Sequence, residues 1–164
     1  MIRELLSLSL LAGLTGTLII AKAQSQARIL DRIEQSIPER ETGWKLVKDD
    51  SYLRTEADDF PQAALSWVNG KQEVGAYVVV YKKLQTAKDV FEREFKDEGL
   101  QRRSRLEGIG DAAFLWTPER ENDRYVIRFS RGNVIVMMSS KSEEVVKRCA
   151  KYIAESIAGV PDPD

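Results

Sequence analysis

The sequence predicts an α+β fold, with a largely antiparallel sheet and helices packed on one face of that sheet. Two hairpin signals, Asn69-Gly70 and Gly132-Asn133, each lie between runs rich in β-branched residues, which predicts antiparallel pairing of neighbouring strands. A short polar link after each hairpin leads to a helix that begins at a capping residue, Thr86 or Ser142. This repeated order indicates two strand–strand–helix halves.

The elements before the first hairpin turn are a helix and short strands. Apolar residues recur three or four positions apart over residues 26–37, the spacing of one helix face, and Pro38 is expected to end that helix. Residues 44–47 and 52–55 are short candidate strands separated by a turn-forming cluster. Residues 63–68 are the first strand of the hairpin.

The next elements lie between the two hairpin turns. The segment 73–82 is predicted to be a central strand, because its β-branched and aromatic residues are nearly continuous. The helix that begins at Thr86 is expected to end at Gly99. Residues 102–110 are polar and turn-rich, so no strand is predicted there, whereas residues 112–116 form a short strand.

The clearest element is the second hairpin, over residues 125–139. A two-residue turn at Gly132-Asn133 determines which residues face each other, and the facing pairs on one side of the hairpin are almost all apolar. These pairs are Arg131 with Val134, Phe129 with Val136, and Ile127 with Met138. The other side is only partly apolar, so we expect it to be incompletely buried.

The last helix carries the single cysteine of the chain. Ser142 caps this helix, and Glu143 and Glu144 lie at its positive end. Cys149 lies in the middle of the apolar stripe, which predicts a buried, unreactive thiol. The alternative is an exposed thiol that forms an intermolecular disulfide or acts as a nucleophile.

Residues 1–23 have the pattern of an export signal. Arg3 provides a positive start, and an uncharged, largely apolar run follows over residues 5–21. Ala21-Lys22-Ala23 then places small residues at the two positions that a signal peptidase reads.

Cleavage after Ala23 leaves a single α+β domain over residues 24–160 and a short tail over residues 161–164. The protein is then expected in the periplasm or outside the cell. The alternative is an uncleaved membrane anchor, for which the apolar run lies near the lower limit of about 17 residues.

The composition excludes several classes of chemistry. The 164 residues include no histidine and one cysteine, which excludes Ser-His-Asp and Cys-His nucleophile pairs, the usual zinc sites and a thiol–disulfide pair within one chain. Lys and Arg number 25 and Asp and Glu 26, so the net charge is −1, which does not fit a broadly basic nucleic-acid-binding protein. We therefore predict no catalytic residue, metal site or cofactor.

The candidate ligand-binding residues are basic and aromatic. Arg102, Arg103 and Arg105 form the one dense basic cluster of the sequence, which could bind phosphate or an anionic envelope polymer. Trp67 and Trp116 lie in or beside strands, where a half-exposed indole could stack on a sugar or an apolar ligand. The structural alternatives are a solvated basic surface for the arginines and core packing for the tryptophans.

Two further patterns are weaker. Gly108-Ile109-Gly110-Asp111 is glycine-rich, but it precedes a strand instead of following one, so it is predicted to be a structural turn and not a phosphate-binding loop. Acidic residues could supply the carboxylate pair of a hydrolase, with Asp111 and the acids of residues 119–123 as candidates.

Three motifs carry a resemblance to known domains. They are Tyr77-Val78-Val79-Val80, Gly108-Ile109-Gly110-Asp111-Ala112-Ala113-Phe114 and Phe129-Ser130-Arg131-Gly132-Asn133-Val134. With the helices between and after them, they resemble exported bacterial α+β domains of unknown function. The resemblance implies an extracytoplasmic domain and assigns no catalytic residue.

These observations lead us to expect an exported domain without catalytic activity that acts as a binding or interaction module at the cell envelope. Its partner is expected to be an unknown protein or an anionic envelope ligand. One alternative is a carboxylate-dependent hydrolase acting on an envelope substrate. Another is a membrane-tethered structural subunit, and contact with a membrane is expected only in that case.

Overall fold

The computed structural model describes residues 28–48, 53–55, 61–96, 103–117, 120 and 123–158. These residues form three helices and eight strands. The first helix, α1, is described over residues 28–40. The other elements are β1 (Lys45–Val47), β2 (Leu53–Thr55), β3 (Gln62–Asn69), β4 (Gln72–Val80), α2 (Leu84–Lys96), β5 (Arg103–Leu106), β6 (Ala112–Trp116), β7 (Tyr125–Arg131), β8 (Val134–Ser140) and α3 (Glu143–Ile157).

The strands form one sheet in the order β1-β3-β4-β8-β7-β6-β5, and β2 pairs with β3 beside β1. Every pairing is antiparallel. The predicted α+β class with an antiparallel sheet is therefore confirmed. The two hairpins meet at the centre of the sheet, where β4 pairs with β8.

Both hairpin turns depend on a glycine. Gly70 and Gly132 have φ angles of +59° and +54°, a left-handed conformation that glycine adopts without the steric cost that a Cβ would add. The turn at Gly132 sets the register predicted for β7 and β8. The confirmed pairs are Arg131 with Val134, Phe129 with Val136, and Ile127 with Met138.

The main core lies between one face of the sheet, which we call the inner face, and helices α1 and α3. Ser142 caps α3 as expected, since its Oγ accepts a hydrogen bond from Val145 N at 3.3 Å. Cys149 is fully buried in this core, as its place in the apolar stripe of α3 predicts. The inner face therefore supplies most of the buried apolar surface.

Helix α2 departs from the expected arrangement, because it packs on the opposite side of the sheet, the outer face. Its buried residues Ala87 and Phe91 contact Phe114 and Ile135. Successive strand residues point to opposite faces, so Phe114 points away from the inner-face core that Leu115 joins. The two halves thus repeat their order of elements, but their helices lie on opposite faces.

Proline does not end α1, contrary to the prediction, because α1 continues to residue 40. Pro38 has no N–H to donate to the carbonyl oxygen of Glu34, four residues earlier. The indole Nε1 of Trp67 donates to that oxygen instead, at 3.0 Å. A side chain of the sheet therefore supplies the hydrogen bond that the helix lacks.

Two other boundaries differ from the predictions. Residues Arg103–Leu106 form the edge strand β5, where a turn-rich segment was expected over residues 102–110. Charged residues are typical of edge strands, where they discourage pairing with another chain. Helix α2 begins at Leu84, two residues before Thr86.

The predicted export signal over residues 1–23, the helix end at Gly99 and the tail over residues 161–164 lie outside the described residues.

Candidate functional site

The candidate site is the part of the outer face that α2 does not cover. Strand pairing brings Leu53 of β2, Ala64 of β3, Tyr77 of β4 and Met137 of β8 into one row across that face. Leu53, Tyr77 and Met137 are 47%, 37% and 40% exposed, and they are the exposed large apolar side chains of the described residues. We call the surface formed by this row and the adjoining small residues the open patch: Leu53, Ala64, Ser66, Gly75, Tyr77, Met137 and Ser139.

A groove of about 550 Å³ runs beside the row. Its floor includes Ser66, Gly75 and Ser139, which lie opposite one another on β3, β4 and β8. Glycine and serine are small, so Tyr77 and Met137 stand above this floor and form an apolar wall. The open patch is thus a shallow surface with a low floor beside an apolar wall.

The rim of the groove is polar. Arg124 Nη1 lies 3.4 Å from Glu73 Oε1, and Arg124 Nη2 donates to the Ser139 carbonyl oxygen at 3.2 Å. The Tyr77 hydroxyl donates to Gln62 Oε1. The two Nη atoms of Arg124 and the hydroxyl of Tyr77 therefore have partners within the protein, whereas Arg124 Nε has none among the described residues.

An ion pair separates the open patch from the half of the outer face under α2. Arg128 lies next to Met137 in the same row, and its guanidinium pairs with Glu94 of α2. Burial raises the pKa of Tyr81, which interacts electrostatically with both members of this pair. Beyond Arg128 the row continues to Phe114, which is fully buried under α2.

Of the predicted basic cluster, the structure describes Arg103 and Arg105. Arg103 donates to the carbonyl oxygen of Glu94 at 3.0 Å, and its guanidinium lies 4.9 Å from the ring centroid of Phe95. Both contacts tie β5 to the last turn of α2, where a positive charge is favourable. Arg105 is exposed on β5, and Arg102 lies outside the described residues.

The two candidate tryptophans lie on opposite faces of the sheet. Trp116 is partly buried on the outer face, where its ring meets the Phe114 ring edge-on at a centroid distance of 4.4 Å. It is the cross-strand partner of Arg103, so the structure brings these two candidates together at the end of α2.

Trp67, by contrast, has no exposed surface. Its ring is part of the inner-face core, and its indole N–H is engaged by the carbonyl oxygen of Glu34. Core packing, the alternative that the sequence left open, describes its environment.

The glycine-rich turn and the second hairpin form one structural unit. Asp111 accepts a hydrogen bond from Gly132 N at 2.7 Å and another from Arg131 Nη1 at 2.9 Å. Gly110 has a φ of +61°, and a Cβ there would lie 2.3 Å from the Ser130 carbonyl oxygen. Two of the three motifs that carry the resemblance to exported domains therefore contact each other, and the carboxylate of Asp111 supports the hairpin turn.

Two other groups with shifted pKa values, Cys149 and Glu41, lie in or beside the helices of the inner face. Burial raises the pKa of the Cys149 thiol to about 12, which keeps it protonated and unreactive. Hydrogen bonds from Arg148, at 2.8 and 3.1 Å, lower the pKa of Glu41 and link the end of α1 to α3.

The described residues contain neither a cluster of metal-ligating side chains nor a membrane-spanning helix. No group of three or more acidic or cysteine side chains there could hold a metal ion. Within the same parts of the chain, no helix is long and apolar enough to cross a membrane.

The residues of the open patch were not among the candidates from the sequence. Tyr77 belongs to a strand so rich in apolar residues that it reads as buried on both faces. For Met137 the sequence gives one indication, because the outer side of the second hairpin is predicted to be incompletely buried. This prediction does not specify where helix α2 lies, so it could not locate the open patch.

No family model matches the chain. No curated protein matches it either. Among solved structures, it is similar to a GTP-binding regulator from Thermotoga maritima, with a TM-score of 0.49 and 18% sequence identity. The match covers 76% of this chain and 86% of that one.

Proposed function

We propose that this protein is an exported binding domain of the cell envelope, without catalytic activity of its own, and that it binds a partner through the open patch. The observation that carries the proposal is the alignment of Leu53, Tyr77 and Met137 in one exposed row. Scattered exposed apolar residues are ordinary, whereas a contiguous row beside a groove is typical of an interaction site.

The composition of the open patch supports a macromolecular partner. Tyrosine and methionine are enriched at the centres of protein interfaces, and a polar rim that excludes water normally surrounds such centres. Here Tyr77 and Met137 form the apolar wall, and the Arg124–Glu73 pair lies on the rim. Covering the wall would remove apolar surface from water without burying an unpaired charge.

Export is supported by the amino-terminal sequence. The uncharged run over residues 5–21 and the small residues Ala21 and Ala23 fit a cleaved signal. Recovering the protein from the envelope fraction of its host and sequencing its amino terminus tests this part. A first residue of Gln24 supports export with cleavage, and an intact amino terminus in the cytoplasm contradicts it.

Native electrophoresis of envelope extracts tests the binding. The wild-type chain is expected to migrate in a complex larger than the monomer, and Tyr77→Asp is expected to release it as free protein. Gln35→Asp is the matched control, because Gln35 is exposed on α1 and gains the same charge. A wild-type chain that migrates as a monomer, or a complex that survives Tyr77→Asp, overturns the proposal.

A further inference from the structure

The size of the open patch constrains its partner. Four neighbouring strands span about 19 Å, and the three residues of each strand over which the patch extends span about 10 Å, which gives a surface of roughly 200 Å². A stable interface between two globular proteins covers about 800 Å² on each partner. A second copy of this chain, docked through the open patch alone, would therefore bury too little surface.

The position of α2 indicates that a helix fits on the open patch. Helix α2 lies over β7 and β8 on the outer face, and the centre of the open patch lies over β3 and β4. These two positions are two strand spacings apart, about 10 Å. Packed helices lie 8–10 Å apart, so a helix centred on the open patch would contact both the sheet and the flank of α2.

The surface shape of the open patch also fits a bound helix. The small residues Ser66, Gly75 and Ser139 leave a low floor, into which the apolar side chains of a helix can project. Tyr77 and Met137 rise beside that floor, and a methionine side chain adapts to irregular surfaces. On the covered half, Phe91 and Ala87 of α2 project onto Phe114 and Ile135 in a comparable manner.

We infer that the open patch binds one amphipathic helix of a partner protein, about 13 residues long, which lies beside α2 and completes the helical layer on the outer face. The length is that of α2, which covers the other half of this face. The apolar residues of the partner helix are spaced three or four apart, as on any helix that buries one stripe. This inference rests on the proposed function and specifies the kind of partner.

Site-specific photo-crosslinking in the host tests the inference. A benzophenone amino acid replaces Tyr77 in one variant and Met137 in another, and Gln35 is the control position because it is exposed on α1. After irradiation, the crosslinked partner residues are mapped by mass spectrometry. Circular dichroism of each purified variant checks that it is folded.

The expected result is a crosslink from both patch positions to one partner protein, at residues three or four apart in that protein and several-fold above the yield at Gln35. Crosslinks to a partner at every second residue indicate an extended strand, and they overturn the helix while leaving the binding function intact. Crosslinks to lipid, to a second copy or to this chain itself overturn the inference. Yields no higher than at Gln35 overturn both the inference and the proposed function.

Discussion

The two halves of the outer face are built from the same sheet, yet one is covered and the other is open. Phe114 and Tyr77 belong to the same cross-strand row, but Phe114 is fully buried under α2 whereas Tyr77 is 37% exposed. The difference lies in α2, which covers Phe114 and stops at the Arg128–Glu94 ion pair. We therefore attribute stability to the covered half and partner binding to the open half.

The largest effect is expected for Phe114→Ala in the covered half. The Phe114 ring contacts the rings of Phe91, Phe95 and Trp116 at centroid distances of 5.2, 5.5 and 4.4 Å. Removing it leaves a cavity, so the free energy of unfolding in urea should fall by about 3–5 kcal/mol. Tyr77→Ala in the open half should cost about 1 kcal/mol or less. Equal losses for the two variants would contradict the division between the halves.

A second effect distinguishes the two tryptophans. Trp67→Phe leaves the buried carbonyl oxygen of Glu34 without a donor, because Pro38 cannot supply one. Urea unfolding should show a loss of about 2 kcal/mol, the cost of one unsatisfied buried acceptor together with lost packing. Trp116→Phe, the control on the outer face, should cost less than that. A larger loss for Trp116→Phe would contradict the account.

The inner face should respond to acid through Glu41. Its lowered pKa means that the carboxylate contributes stability above its ordinary value of 4.5. That contribution is lost as the pH falls through the lowered folded-state pKa, because protonation breaks the pair with Arg148. Glu41→Gln should cost about 1 kcal/mol at pH 7 and remove this part of the pH dependence of unfolding. The control is Glu39→Gln, because Glu39 lies at an exposed position of α1. If the pH dependence of unfolding is the same in Glu41→Gln as in the wild type, Glu41 does not have this role.

The smallest effect on stability is expected for Tyr77→Ser and Met137→Ser in the open patch. Both side chains are partly exposed, so each change should alter the free energy of unfolding by about 1 kcal/mol or less. The envelope complex should nevertheless be lost in each variant. Loss of the complex together with a large loss of stability would show instead that these residues support the fold.

Local signals in the sequence predicted much of the fold. Gly132 and the alternation around it determined the register of β7 and β8, and Ser142 determined the start of α3. Contacts between residues that are far apart in the sequence determine the rest of the fold. Pro38 remains inside α1 because Trp67, far along the chain, satisfies its missing hydrogen bond.

The open patch could not be predicted from the sequence for the same reason. Whether Tyr77 and Phe114 are exposed depends on which face α2 packs against, and nothing local to either strand specifies that. The sequence also could not show the contacts of the basic cluster. The guanidinium of Arg103 contacts Phe95 and the end of α2, which lie outside that cluster in the sequence.

The neighbouring residues Met137 and Met138 provide the most direct test of the central claim, that the open patch is covered by a partner. Met137 is 40% exposed on the outer face, and Met138 is fully buried on the inner face. Peroxide should oxidise Met137 and spare Met138 in the purified protein, since oxidation requires access to the thioether. In intact envelopes, oxidation of Met137 should slow several-fold while Met138 remains unoxidised. Oxidation of Met137 at the same rate in envelopes and in purified protein would contradict it.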